Sequence, residues 1–195
     1  MMTFEDLKQK IIENDRQVDL DKLTEVYQLA EKAHEGQKRV SGEPYITHPL
    51  EVTSILVDLG MDTDTLAAAL LHDVVEDTSV TLMELQEQFP EEVTEAVRLL
   101  TRREDTDYFD YIRAVRKNPV AKAVKLADIA HNSDGTRFAG CEDVSEEVFA
   151  ALREKYRRAE VILLDLPQAA EDEAAENAAA GRTARDRNEI RKKGE

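Results

Sequence analysis

Leu66-Ala67-Ala68-Ala69-Leu70-Leu71-His72-Asp73-Val74-Val75-Glu76-Asp77 contains the longest unbroken apolar run of the chain and ends in four polar side chains. The spacing predicts a helix over residues 62–77 with so little polar face that it belongs at the centre of a helical domain. On one such helix His72 stands above Glu76 and Asp73 above Asp77, because positions four apart share a face. Three of these groups are carboxylates, and burying a charge without compensation is expensive. A divalent cation would supply that compensation. The plainer reading is a helix end whose polar residues have reached water.

Outward from this segment the periodicity stays helical. Leu20, Leu23, Tyr27, Ala30 and His34 form one stripe over residues 20–34. Residues 49–59 repeat it through Val52, Ile55, Leu56 and Leu59, and Gly60 supplies a C-terminal stop. Thr81-Leu82-Met83-Glu84 spells a capping box, Phe89-Pro90 breaks that short helix, and residues 91–100 start another. A further amphipathic segment covers 108–116, and Asn118-Pro119 opens a helix running to His131. The last strong stripe runs from Ser145 through Val148, Leu152, Tyr156, Ala159, Ile162 and Leu163 to Leu166. There is no strand-like alternation and no repeat. An all-α domain over residues 1–166 is expected. Residues 167–195, dominated by Ala, Glu and Arg, form a polar tail that can bury little and is expected to be mobile.

The chain of 195 residues carries 42 Asp+Glu against 26 Lys+Arg, a formal net charge of −16. That argues against duplex nucleic acid as a partner, which needs clustered cations. The tail holds seven acids and six bases, so the acidity belongs to the domain. With one cysteine, Cys141, no internal disulfide can form, and the thiol is read as inert. The six apolar residues 66–71 fall far short of the roughly 20 a membrane span needs. The N-terminus is acidic early and lacks an apolar signal region. A soluble, cytoplasmic protein of open oligomeric state is expected.

Two further segments bear on the chemistry. Val124-Lys125-Leu126-Ala127-Asp128 drops an acid onto an apolar helix face. Ser41-Gly42-Glu43-Pro44-Tyr45-Ile46-Thr47-His48-Pro49 puts a histidine at the mouth of a helix after a Gly/Pro loop. His48, His72, Asp73 and Asp128 together make a set of nitrogen and oxygen donors without thiolate, which suits manganese, iron, zinc or a magnesium-like ion. His34, at the end of its stripe, reads as a structural histidine, with a supporting role behind the site as the alternative. Tyr45 reads equally as a core anchor and as a pocket wall.

These segments resemble the HD-domain metal-dependent phosphohydrolases, and more narrowly the hydrolase half of the RelA/SpoT stringent-response family. The resemblance rests on residues 33–49, 68–78 and 124–128 in that order and extends over about residues 20–165. It implies a single-domain HD helical bundle in which His48, His72, Asp73 and Asp128 hold one manganese ion, with another divalent metal as the alternative. It implies that Glu76 and Asp77 assist the attacking water, that Arg39 stacks on a guanine base and that Asn132 lies near the ribose. The substrate implied is an anionic guanine nucleotide, guanosine tetra- or pentaphosphate, losing its 3′-pyrophosphate to give GDP or GTP.

Such a substrate must be drawn in by local cations against the global charge, which screening to roughly 8 Å permits. Lys38, Arg39, Ser41, Tyr45, Lys125, Asn132 and Arg137 are the candidate substrate contacts, and Arg102-Arg103 are a further cationic pair read chiefly as solvated. The last motif reads Asp128-Ile129-Ala130-His131-Asn132, where the long enzymes usually read Asp-Arg-Leu-His-Asn. Position 129, expected near the substrate, thus lacks a basic side chain, and Arg137 is the candidate replacement. Two other readings compete: an HD phosphohydrolase acting on NADPH 2′-phosphate or a nucleoside 5′-monophosphate, and a nucleotide-binding sensor without turnover.

Overall fold

Every regular element among the residues described by this structure, a computed structural model, is a helix; the description covers residues 2–14, 17–39, 41–133 and 146–167. The helices are α1 (Phe4–Glu13), α2 (Leu20–Ala33), α3 (Thr47–Asp58), α4 (Thr63–Leu71), α5 (Val74–Asp77), α6 (Leu82–Gln86), α7 (Glu91–Leu100), α8 (Tyr108–Val115), α9 (Pro119–Asn132) and α10 (Glu146–Leu163). Beyond these, one isolated antiparallel bridge joins Lys38 to Pro44. None of the described helices is long and apolar enough to cross a membrane. Arg137, Cys141 and residues 168–195 of the tail lie outside the described residues.

The apolar segment is central, as its composition requires. All residues from Thr65 to Leu71 are buried, and α4 packs against α2, α3, α7 and α9. Around it Leu23, Leu50, Leu56, Val97, Ile112 and Leu163 close one continuous core. The boundaries follow local chemistry. Asp62 caps α4 through the Thr65 N–H, Thr81 and Glu84 form the reciprocal box that opens α6, and Asn118 caps α9 with proline in its first turn. Gly60, at φ +73°, ends α3 in the left-handed conformation that a side chain disfavours.

Three expectations change. The segment 62–77 is two helices, broken at His72-Asp73. His72 Nδ1 hydrogen-bonds the Ala69 carbonyl at 2.8 Å, the acceptor that an unbroken helix offers to the Asp73 N–H. Helix α3 begins at Thr47, so His48 sits inside its first turn. Ile129 is fully buried in the core and does not line the cavity described below. A basic side chain at 129 would therefore face apolar neighbours. Helix α1, which the periodicity left unassigned, is opened by a capping box between Thr3 and Asp6 and buries Phe4, Leu7 and Ile11.

Candidate functional site

Helices α3, α4 and α9 converge on one cluster, each for a local reason. Buried Pro49 and Leu50 anchor the first turn of α3 and hold His48 inside. The break after α4 turns His72 and Asp73 inward together, and Asp128 lies on the buried face of α9. His48, His72 and Asp128 each offer one donor atom, all within 4.8 Å of one another. Asp73 completes the group: its Oδ2 lies 3.1 Å from His72 Nε2 and 3.6 Å from His48 Nε2, while His48 Nε2 is 3.2 Å from Asp128 Oδ1. The four expected residues are thus brought to one point.

The cluster fits a divalent cation on two observations. His72 Nε2 is fully buried and makes no hydrogen bond of acceptable geometry, although Asp73 is beside it. With Nδ1 committed to the Ala69 carbonyl, Nε2 is the atom free to coordinate. The donor set is also that of a hard or borderline ion: imidazole nitrogen and carboxylate oxygen.

Electrostatics agree. Burial alone would lower the His72 pKa, but Asp73, with Asp128 behind it, overrides burial and lifts it to about 9. His48 goes the other way: burial, reinforced by His72, holds it below the usual histidine value despite Asp128. Burial would raise both carboxyls, yet His72 and His48 hold Asp73 well below the ordinary range, and Lys125 does the same for Asp128. The raised value favours a proton on His72 at neutral pH, which a bound cation would have to displace.

A supporting layer orients these donors. The Tyr45 hydroxyl shares its proton between Asp73 Oδ2 at 2.7 Å and Asp77 Oδ2 at 2.8 Å. Its ring stacks on His34 at 4.7 Å, and His34 Nδ1 meets Gln37 Oε1 at 2.8 Å. His34 is buried, as a structural histidine would be. Asn132 Nδ2 donates to Asp128 Oδ1 at 2.5 Å, and Arg39 Nη2 donates to Asn132 Oδ1 at 3.1 Å. Lys125 Nζ donates to Asp128 Oδ2 at 2.8 Å. Sequence reasoning passed over His131: its Nδ1 meets His48 Nδ1 at 2.7 Å, and the two rings stack at 4.8 Å. Position 131 matches the histidine of the Asp-Arg-Leu-His-Asn motif, but nothing in the local sequence says that it meets His48.

Glu76 and Asp77 are separated. Glu76 faces the cavity beside the cluster, where its Oε2 accepts the Arg102 backbone N–H at 2.7 Å and burial raises its pKa. Asp77 does not line that cavity and is held by Tyr45. The loop before α3 turns at Gly42, φ +88°, where the Arg39 carbonyl accepts the Gly42 N–H at 2.8 Å and the Glu43 carbonyl accepts the Arg39 N–H at 2.9 Å. This turn aims Arg39 at Asn132, whereas Lys38 is exposed and the exposed Ser41 hydroxyl donates to Glu43 at 3.1 Å. The structure thus brings Arg39, Tyr45, Lys125 and Asn132 to the cluster and leaves Lys38 and Ser41 outside it.

The cavity, of about 200 Å³, has a wall that no sequence pattern announced: Tyr108 and Tyr111 from α8, and Lys155 and Tyr156 from α10. Tyr156 reads as core from its stripe, and Lys155 carries no sequence signal. Their shared role depends on how α8 and α10 pack.

A family model described as "HD domain" matches residues 27–133. A GTP pyrophosphokinase of Streptomyces coelicolor is 44% identical over 137 residues, which is 64% of this chain and 16% of that protein. The bifunctional (p)ppGpp synthase/hydrolase SpoT of Escherichia coli (strain K12) is 39% identical over 143 residues, 68% of this chain and 20% of that protein. This chain therefore spans about a fifth or less of these curated relatives. A solved structure described as a metazoan ortholog of SpoT that hydrolyzes ppGpp matches with a TM-score of 0.57 and 28% identity, covering 73% of this chain and 83% of that one.

Proposed function

The chain belongs to the HD domain family, and from that premise we propose that it removes the 3′-pyrophosphate of guanosine tetra- or pentaphosphate in a divalent-metal-dependent hydrolysis, giving GDP or GTP. One observation carries the reading: two imidazoles and two carboxylates cluster beside a cavity that is lined by Glu76, held by the Arg102 N–H, and by three cations. The names of the relatives, a pyrophosphokinase and a synthase/hydrolase, cover both making and breaking this nucleotide. A carboxylate–imidazole cluster beside a general base serves attack by water, which favours breaking it.

In this reading His48, His72, Asp73 and Asp128 hold one manganese or similar ion. Bound there, the ion would lower the pKa of a water and polarise a phosphoryl oxygen. Glu76, which lines the cavity, positions the attacking water and takes its proton; the Arg102 N–H fixes its Oε2. The water oxygen bonds to the phosphorus attached to O3′, the P–O3′ bond breaks, pyrophosphate leaves, and the proton held by Glu76 passes to the 3′ oxygen. Asp77 acts through Tyr45, which orients Asp73. Arg39 offers its planar guanidinium to the guanine base, a role lysine cannot fill, and Asn132 beside it meets the ribose. Lys125 neutralises Asp128 and adds positive potential toward the phosphoryl groups.

The test is product release from purified protein with about 1 mM Mn²⁺, offering ppGpp, NADPH and GMP in parallel, with Asp73→Asn as the control. GDP and pyrophosphate from ppGpp, lost in the variant, is the expected result. Turnover of NADPH or GMP alone would overturn the substrate and keep the metal chemistry. No turnover of any, with metal bound, would point to a sensor.

A further inference from the structure

The cavity lined by His72, Asp73, Glu76 and Asp128 is also lined by three cations, Arg102, Lys125 and Lys155. Lys125 is answered by Asp128. Lys155 is not: its ammonium rests 4.0 Å from the centroid of the Tyr108 ring and 6.0 Å from that of Tyr156, and no acidic partner accompanies it among the described residues. It is half-buried, and burial together with Arg102 and Lys125 lowers its pKa. The Tyr108 hydroxyl is a second unanswered group, buried and without a hydrogen-bond partner. Burial pushes its pKa up to about 12, so it remains a donor at neutral pH.

Buried polar groups in folded chains are nearly always satisfied, and those that are not call for a ligand, an ion or a water. A water would satisfy the hydroxyl and leave Lys155 without an anion beside Arg102 and Lys125. An oxyanion answers both, accepting from the ammonium and the phenol at once. At about 200 Å³ the cavity is smaller than the roughly 300–1,000 Å³ of pockets that enclose a whole drug-sized ligand. It therefore takes the phosphoryl part of a substrate, with the nucleoside lying toward Arg39 and Asn132.

We propose that Lys155 and Tyr108 hold the distal phosphoryl group of a pyrophosphoryl ester whose proximal phosphoryl group lies at the His48, His72, Asp73 and Asp128 cluster, so that the site selects pyrophosphoryl esters over phosphate monoesters. The proposal rests on the hydrolase reading for the reaction, while the anion subsite can be measured without turnover. Both residues are positioning residues for the transferred pyrophosphoryl group.

The experiment is calorimetric titration of the Mn²⁺-loaded full chain with inorganic pyrophosphate and, separately, orthophosphate. Lys155→Met keeps the aliphatic stem against Tyr108 and should weaken pyrophosphate about tenfold or more, as loss of a charge-assisted contact does. Orthophosphate and Mn²⁺ affinities should stay within about threefold. Tyr108→Phe should weaken pyrophosphate several-fold, and Lys155→Arg should restore most of what Lys155→Met loses. In turnover, Lys155→Met should raise KM for ppGpp about tenfold with kcat little changed, and should erode its preference over the 3′-monophosphate analogue. Pyrophosphate binding unchanged in both Lys155→Met and Tyr108→Phe would overturn the proposal. Lys155-dependent pyrophosphate binding in a protein that hydrolyses no guanosine 3′-pyrophosphate would uphold the subsite and overturn the hydrolase reading.

Discussion

Replacing His131 isolates the supporting layer from the donors themselves. For His48 to offer Nε2 to a cation, its proton must sit on Nδ1, and His131 Nδ1 at 2.7 Å is the acceptor that holds it there. His131→Phe keeps a ring to stack on His48, now 4.8 Å away, and removes the acceptor. Losing such a partner typically costs 10–100-fold in metal affinity, or about 1.4–2.7 kcal/mol. The fold should be nearly untouched, because His131 is half-buried near the end of α9 and outside the apolar core. Competitive Mn²⁺ titration against a chelator gives the affinity, and thermal unfolding of the metal-free protein gives the control. The reasoning fails if His131→Phe binds Mn²⁺ as the unaltered protein does, or if metal-free stability falls by more than about 2 kcal/mol, a size that marks a core defect.

Leu70→Ala, in the fully buried centre of α4, should cost about 2–5 kcal/mol in denaturant unfolding. Metal affinity should fall about tenfold for each unit that pH drops below about 9, because the ion displaces the His72 proton; titrations between pH 6.5 and 8.5 would read the slope. The same raised pKa stabilises the metal-free protein below the unfolded value of about 6.5 and is lost as pH rises toward about 9. His48, held low, is neutral in the folded protein, and its unfolded-state proton, half lost at about pH 6.5, is gone above about pH 7.5. Metal-free melting temperature should therefore decline from about pH 7.5 to 9. Arg39→Ala should raise KM for a guanine nucleotide about tenfold or more, while Lys38→Ala and Ser41→Ala, exposed and turned away, should each change it less than about threefold.

What the sequence made legible was chemistry carried by neighbours in the chain. The apolar run 66–71 announced the central helix, the Thr81 box and Asn118-Pro119 announced helix starts, and acids on apolar faces announced the cluster. Periodicity assumes an unbroken helix, so it missed the turn at His72-Asp73, where an imidazole takes a backbone carbonyl. It also treated Glu76 and Asp77 as equivalent, although the short α5 sends one to the cavity and the other to Tyr45. Lys155, Tyr108 and His131 were hidden for another reason: each gains its role from a helix distant in sequence. Ile129 shows the reverse, a position that motif comparison placed by the substrate and packing placed in the core.

The central claim is that one ion in the His48, His72, Asp73 and Asp128 cluster drives removal of a pyrophosphate. Its most direct test strips the protein with chelator, then follows Mn²⁺ binding and pyrophosphate release from ppGpp in one titration. Activity should rise with the binding isotherm, saturate at one ion per chain, and be absent in Asp128→Asn. Release of pyrophosphate from stripped protein, or activity that survives loss of the cluster, would contradict the account.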